Sequence, residues 1–249
     1  MDLKKYPISI HFTDLKYTLK NICICLLCST IISSFYLESL LNFLLHPIQS
    51  CLTSSHKIII LSPYEFFFIQ AKILCASSLI ISSPWIIFYS WSFIQPGIYH
   101  SEKKIIISLS ALFLLCFIIG CLFAYFYVMP FSFSFLINSL PSYIEYHYSI
   151  SSLISFSLNS LISFGLIFEI PILIFSITYF KIVEVNTLSK NRRYVIILSF
   201  IIAAIITPTS DPLIQTITAI PLIFFFEIGL LCSKICTSLT NAKRTKNLL

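Results

Sequence analysis

The chain has 249 residues, of which 57% are hydrophobic and 10% are charged, whereas about a quarter of the residues in an average soluble domain are charged. This composition excludes an ordinary water-soluble protein and predicts one that lies in a lipid bilayer. The charged residues behind the formal net charge of +6 are clustered, since a window such as Ile105–Met129 contains none of them.

Apolar runs between polar breaks predict six membrane-spanning helices, and we expect one domain over residues 1–249 because no repeat or linker is evident. We place the helices at about residues 20–37, 67–90, 105–129, 151–178, 194–207 and 213–233. The fifth run is short, since its ~14 residues reach only ~21 Å against a hydrocarbon core of ~30 Å. We therefore expect it to form a tight hairpin with the sixth run across Pro208–Pro212 and to thin the bilayer locally.

Lysine and arginine residues set the orientation. Fourteen of the sixteen lie at the termini or in loops on one side of the six runs, whereas Lys57 lies in an opposite loop and Lys72 within the second run. The positive-inside rule therefore places both termini in the cytoplasm, stroma or matrix. The many Phe, Ile, Ser and Tyr residues with only four Gly are typical of an AT-rich organelle genome. Because the segment before the first run holds Asp2 and Asp14, we expect no cleavable signal there. We expect a mitochondrial inner membrane, with thylakoid and bacterial inner membranes as alternatives.

The sequence lacks the residue patterns of several enzyme classes. All five histidines lie outside the predicted helices, which excludes a haem-binding or copper-binding membrane core. No Gly-rich phosphate loop or H-E-x-x-H motif occurs, and the nine cysteines do not form two paired C-x-x-C motifs, so we interpret them as small apolar side chains. We expect neither an enzyme nor a cofactor or metal site.

Four ionisable residues interrupt or flank the apolar runs. Glu169 lies near the middle of the fourth run, where a charge costs at least ~2.5 kcal/mol on insertion scales. We expect it to face a partner or a wet cavity, or to stay protonated; a helix-packing hydrogen bond is the structural alternative. Lys72 and Glu227 lie nearer to the ends of their runs, where a charged side chain can snorkel or pair locally. Asp211 either caps the sixth helix, with Pro212 as its first residue, or has a functional role.

Two carboxylates lie on the inner side, Asp14 before the first run and Glu102 after the second. Neighbouring carboxylates bind guanidinium groups through charge-assisted hydrogen bonds. Spacing alone nevertheless favours solvated loop charges over such a receptor.

Several short motifs occur in a fixed order along the chain. The segment Trp91–Tyr99 (Trp-Ser-Phe-Ile-Gln-Pro-Gly-Ile-Tyr), followed by Glu102-Lys103-Lys104, resembles the first cytoplasmic loop of the TatC family, and the remaining motifs resemble later parts of that family in the same order. The others are Phe123–Phe126 with Pro130, Phe164-Gly165 with Phe168–Pro171, Asn191–Tyr194, Thr207-Pro208 with Asp211 and Gln215, and Ala219–Pro221 with Phe226–Gly229. Each motif alone is weak, but their joint order over nearly the whole chain makes the resemblance specific.

The resemblance implies an all-α, polytopic membrane protein with six transmembrane helices in a curved, glove-like arrangement and both termini inside. It further implies the receptor and core subunit of a twin-arginine translocase, which binds signal peptides with two arginines and transports folded proteins with the proton-motive force. The implied partners are TatA-type single-span subunits, with or without TatB-type ones, folded cargo with twin-arginine signals, membrane lipid and further copies of the chain. Nucleic acid is not among them.

In the family, the first cytoplasmic loop and the N-terminal tail bind the arginine pair. The resemblance therefore assigns signal-peptide binding to Glu102, Asp14, Lys16, Phe93, Pro96 and Tyr99. It places a second set on the concave face or at partner contacts, namely Glu169, Gln215, Asp211, Pro47 and Tyr125. The tail departs from the family pattern His-Leu-x-Glu-Leu-Arg-x-Arg, because Asp14 and Lys16 stand where the family has Glu and Arg. Asp14 has a shorter side chain than Glu, and Lys16 lacks the planar guanidinium group of Arg. We therefore expect this part of the arginine-binding surface to bind more weakly, or to be matched to an altered signal.

Two other functions fit part of the sequence. A proton-coupled small-solute transporter would use Glu169 as its coupling site and the short hairpin as a broken-helix element. The scarcity of intramembrane polar groups and the lack of a visible repeat disfavour it. A purely structural assembly subunit predicts that Glu102→Ala leaves function intact.

Overall fold

A computed structural model of the chain describes residues 8–49, 57–60, 62–94, 103–138, 147–180, 182–206 and 212–246. Within these residues the structure is almost wholly helical. The helices are α1 (Ile8–Phe35), α2 (Leu37–Gln49), α3 (Pro63–Ile94), α4 (Lys103–Phe123), α5 (Met129–Asn138), α6 (Ile150–Tyr179), α7 (Val185–Lys190), α8 (Arg192–Ile206) and α9 (Pro212–Lys246). A π-helical segment, Ala124–Val128, joins α4 to α5, and strands β1 (Lys57–Ile59) and β2 (His147–Ser149) pair in a small sheet.

Among the described residues, five helical segments are long and apolar enough to cross a membrane. They are Leu15–Phe35, Tyr64–Ser90, Ile107–Phe135, Ile150–Tyr179 and Thr218–Thr237. Such runs form helices because hydrocarbon offers no hydrogen-bond partner, so the backbone must satisfy its own polar groups. The helix α8 has 15 residues, about 22 Å at the helical rise, and is therefore shorter than the ~30 Å hydrocarbon core.

The helical part of the third apolar run extends farther than the run predicted from the sequence. It continues from α4 through the π-helical segment and α5 to Asn138, whereas the sequence pattern places the end near Met129. Pro130 closely follows the π-helical segment, so the helical hydrogen-bond pattern changes next to the residue that lacks an N–H. The proline therefore does not end the helical structure. The first helix likewise begins before the predicted residue 20, at Ile8.

The chain forms two compact units. The first comprises residues 1–46, 58–114 and 149–155, and the second comprises residues 47–57, 115–148 and 156–249. The single membrane domain expected from the sequence stays a prediction.

In the first unit, α1 packs against α3 along a face rich in serine. Ser29 and Ser33 of α1 and Ser78 and Ser82 of α3 are buried, and Ser29 Oγ donates a hydrogen bond to the carbonyl oxygen of Ser78 at 3.1 Å. Small residues let two helix backbones approach closely in a membrane, where packing rather than the hydrophobic effect holds helices together. The serine contact also fixes the register of the two helices.

In the second unit, glycines allow α6 to touch its neighbours. A Cβ atom on Gly120 of α4 would lie 2.5 Å from the backbone oxygen of Phe164, and one on Gly229 of α9 would lie 2.9 Å from the backbone of Pro171. Neither position has room for a larger residue. The glycines therefore set how closely α4 and α9 approach α6.

Candidate functional site

The residues assigned to signal-peptide binding form the predicted arginine-binding corner. Part of this corner lies at the inner end of the first unit. In the predicted topology α1 runs outward and α3 inward, and the contact between Ser29 and Ser78 fixes their register. Asp14 lies fifteen residues before Ser29, and Phe93 lies fifteen residues after Ser78, so the two positions stand at the same level of the helix pair. Lys16, two residues after Asp14, is exposed. The N-terminal tail and the end of α3 therefore reach one surface.

Three residues of this corner, Pro96, Tyr99 and Glu102, lie outside the described residues. Their loop leaves α3 at Ile94 and enters α4 at Lys103, so it starts one residue beyond the level of Phe93. Their assignment to signal-peptide binding stays a prediction. Asp211 also lies outside the described residues, although α9 begins at Pro212 as the sequence predicted.

Glu169 is half-buried on α6 in the second unit. Among the residues that the structure describes, no hydrogen bond or ion pair reaches its carboxylate, so the helix-packing hydrogen bond considered above is not formed there. Two cysteine thiols of α4 lie within electrostatic range of it. The preceding residue, Phe168, packs between the rings of Phe123 and Phe225, with centroid distances of 5.4 Å and 4.4 Å. Phe168, the neighbour of Glu169 in sequence, thus belongs to a packed aromatic cluster.

The other members of the second predicted set have separate neighbours. Gln215 Nε2 donates a hydrogen bond to the backbone oxygen of Phe200 at 3.0 Å, which ties α9 to α8. Tyr125 is buried in the π-helical segment and meets Phe126 edge to face. Pro47 is buried near the end of α2. The set is therefore distributed over several helices.

An ion pair joins the inner end of α8 to the middle of α9, the two helices of the hairpin. Arg192 Nη2 lies 3.0 Å from Glu227 Oε2, and both side chains are partly exposed. The local pairing considered for Glu227 is therefore confirmed. The antiparallel hairpin explains this pairing. Arg192 is the first residue of α8, and Glu227 lies fifteen residues beyond the start of α9, so the two residues stand at the same level of the helix pair.

An aromatic cavity in the second unit is a feature that the sequence analysis missed. It has a volume of about 280 Å³, and Phe123, Tyr127, Phe131 and Phe135 form one of its walls. These four residues recur at a spacing of four, which places them along one stripe of a helix. The spacing was visible in the sequence, but the space beside it depends on how α6 and α9 pack.

The sequence matches the protein family described as Sec-independent protein translocase protein (TatC) over residues 10–221. The chain belongs to the TatC family. The protein TatC of Aquifex aeolicus (strain VF5) is 34% identical, with 93% of this chain and 96% of that relative covered. The protein TatC of Escherichia coli (strain K12) is 31% identical, with 92% and 88% covered. A crystal structure described as the twin arginine translocase receptor TatC superposes with a TM-score of 0.82 at 34% identity, covering 91% of this chain and 99% of that one.

Membership of the TatC family confirms the all-α, multi-pass membrane fold expected from the sequence. It also favours a component of a protein translocase over the small-solute transporter. The named TatC relatives are bacterial. The individual residues assigned to signal-peptide binding and to partner contacts remain predictions.

Proposed function

We propose that this TatC-family protein is the signal-peptide receptor and core subunit of a twin-arginine translocase. The observation that carries the proposal is the likeness, over 91% of the chain, to a structure described as a twin arginine translocase receptor. The chain's own geometry supports it, since Asp14 and Phe93 stand at one level and the first inner loop starts beside them.

Recognition in this proposal rests on two carboxylates and needs no covalent step. Asp14 and Glu102 accept hydrogen bonds from the guanidinium groups of the arginine pair, which are planar and permanently charged donors. Phe93, Pro96 and Tyr99 supply apolar and aromatic surface next to them. The apolar segment of the signal then enters the membrane alongside the receptor.

Transport in this proposal needs partners. TatA-type single-span subunits, with or without TatB-type ones, assemble with several copies of the chain, and the proton-motive force drives folded cargo across. Glu169 and Gln215 offer polar groups to partner or cargo helices, because a carboxylate inside the membrane is stabilised by a donor that reaches it. Asp211, Pro47 and Tyr125 belong to the same proposed contact set.

The proposed location is the mitochondrial inner membrane. The AT-biased composition, with four Gly against 24 Phe, supports an organelle-encoded chain. A bacterial inner membrane is the alternative, in keeping with the named relatives, and the thylakoid membrane is another. Fractionation of the source cells followed by peptide mass spectrometry distinguishes the three.

Photo-crosslinking of a twin-arginine signal peptide to the protein in membranes tests the receptor function. We expect an adduct with the native Arg-Arg signal that is lost with Lys-Lys, because Lys cannot form the bidentate contact. The variant Glu102→Ala removes one acceptor. It should lower the yield of the adduct at least tenfold, because a hydrogen bond to a charged group contributes ~1.5–3 kcal/mol.

Two further variants sharpen the crosslinking experiment. Glu184→Ala removes another exposed carboxylate of the inner side, in the loop before α7, and should leave the adduct unchanged. Asp14→Glu combined with Lys16→Arg restores the family's residues at these two positions and should strengthen the adduct. An adduct that is indifferent to the arginine pair and to Glu102 would contradict the receptor function and favour the structural subunit.

A further inference from the structure

Lys72 lies inside the second spanning segment with a neutral hydrogen-bond partner. It is eight residues from the start of Tyr64–Ser90, about 12 Å along a helix, and its side chain is exposed. Its Nζ donates to Ser155 Oγ at 2.9 Å. No ion pair joins it to a carboxylate within the described part of the chain. A lysine has three donors, and among the described residues only Ser155 accepts a hydrogen bond from one of them.

The ammonium group of Lys72 reaches toward the outer surface of the membrane. In the predicted orientation α3 begins outside, and the Cα–Cβ bond of a helical residue tilts toward the N-terminus of its helix. A lysine stem reaching in that direction brings the charge several ångströms closer to the outer interface. Ser155 gives an independent marker of depth, because it lies five residues from the start of α6 at Ile150, about 8 Å along the helix. Both measures place the charge near the outer headgroup region.

The acidic residue that lies closest along α3, Glu65, has a different neighbour. It is buried and two turns away from Lys72, and its Oε1 accepts a hydrogen bond from Ser149 Oγ at 2.6 Å. Among the described residues of the first unit, no carboxylate forms an ion pair with the ammonium of Lys72. A charge at membrane depth is stabilised only when a partner or water reaches it.

We propose that Lys72 and Ser155 form a binding site for the phosphate of an anionic phospholipid in the outer leaflet. Phosphate oxygens are acceptors for an ammonium group, and the opposite charges complement each other. The site is separate from signal-peptide binding, which lies at the inner surface.

Aromatic side chains beside Lys72 favour a lipid over a partner helix as the occupant. Tyr64 and Phe68 precede Lys72 at a spacing of four residues, and both are exposed and in edge-to-face contact at 6.4 Å. An exposed aromatic group above a cation is the pattern of a helix that faces the lipid interface. A carboxylate on a partner helix would have to displace lipid from this aromatic surface.

Site-specific photo-crosslinking to lipid tests the proposed site. A benzoylphenylalanine introduced at Phe68 of the full chain is irradiated in vesicles of phosphatidylcholine with phosphatidylglycerol as the minor lipid, and the lipid adducts are weighed by mass spectrometry. We expect phosphatidylglycerol to be enriched about fivefold over its bulk share, the effect of one lysine near an anionic surface. The enrichment should disappear in Lys72→Gln, persist in Lys72→Arg and fall about twofold in Ser155→Ala, where one neutral hydrogen bond is lost.

A second probe position gives the matched control. Ile205 is exposed at the outer end of α8 and has no lysine nearby in sequence, so a probe there should report the bulk lipid ratio. Lys72→Arg and Ser155→Ala keep the test valid if Lys72→Gln fails to fold. Bulk ratios at Phe68, or an enrichment unchanged in Lys72→Gln, would overturn the proposal. So would enrichment abolished by millimolar inorganic phosphate, or a protein adduct that replaces the lipid adduct when a single-span partner is added.

Discussion

Gly120 and Gly165 lie at the same crossing of α4 and α6, but they face different kinds of atoms. A Cβ on Gly120 would meet the backbone oxygen of Phe164 at 2.5 Å, whereas one on Gly165 would meet the ring of Phe117 at 2.7 Å. Backbone cannot yield without moving a helix, while a ring can turn. We expect Gly120→Ala to lower the free energy of unfolding by about 1–3 kcal/mol, the usual cost of overpacking, and Gly165→Ala to lower it by less.

The two glycine variants are compared by denaturant unfolding of the purified protein in detergent micelles, followed by circular dichroism. Each substitution adds one methyl group and the same gain in helix propensity, so each serves as the control for the other. Equal losses of stability in the two variants would contradict this prediction, because they would show that α4 and α6 move apart as readily as the ring of Phe117 turns.

The chemistry of single residues could be predicted from the sequence only in part. The depth of Glu169 follows from its place in an apolar run, and the cost of a charge at that depth follows from general insertion energies. That no internal donor reaches its carboxylate within the described residues depends on side-chain placement on three helices. The sequence alone could not predict the ion pair of Arg192 with Glu227 either, because that pair depends on the register of α8 against α9.

At the scale of elements, the length of α8 is the feature with the clearest mechanical consequence. Its 15 residues span about 22 Å, so a hydrocarbon core of ~30 Å must thin, or flanking residues must snorkel, around it. Inserting four leucines after Ile201 adds ~6 Å and removes most of the mismatch. We expect this variant to impair export severalfold while it leaves the signal-peptide adduct unchanged, measured by cargo protection assays and crosslinking on the same membranes.

A control for the lengthened α8 keeps its composition but not its length. Ile201 and Ile205 are both exposed, so replacing them by leucine changes the lipid-facing surface without extending the helix. This variant should export at the wild-type rate. Normal export by the four-leucine insertion would remove local thinning from the mechanism.

Most helices could be predicted from hydrophobic runs, but their joints could not. The run placed at 151–178 agrees with α6, Ile150–Tyr179, within one residue at each end, because a long apolar segment has no alternative to helix in a bilayer. The third run continues past Pro130, through the π-helical segment Ala124–Val128, to Asn138, whereas the sequence pattern placed its end near Met129. A π-helical segment has no sequence signature, because it reflects how the flanking helices pack.

At the scale of the whole molecule, family and fold class were predictable because weak motifs occurred in a fixed order along the chain. The ordered match extends over residues 10–221, and no packing information is needed to read it. The division into two compact units was not predictable, because it depends on contacts between residues far apart in sequence. Asp14 and Phe93 fall in the first unit, and Glu169 falls in the second.

This division predicts that signal recognition and a later step of transport are separable by mutation. Glu169→Gln removes the charge but keeps the shape, and the carboxylate lies on α6, in a different unit from Asp14 and Phe93. We expect signal-peptide crosslinking within about twofold of wild type and export lowered about tenfold or more, since one charge-assisted hydrogen bond to a partner contributes ~1.5–3 kcal/mol. Glu102→Ala should lose both activities, because recognition precedes transport. Crosslinking and export measured on the same vesicles decide the matter: parallel losses in Glu169→Gln would mean that Glu169 supports recognition itself, and that the two units act as one site.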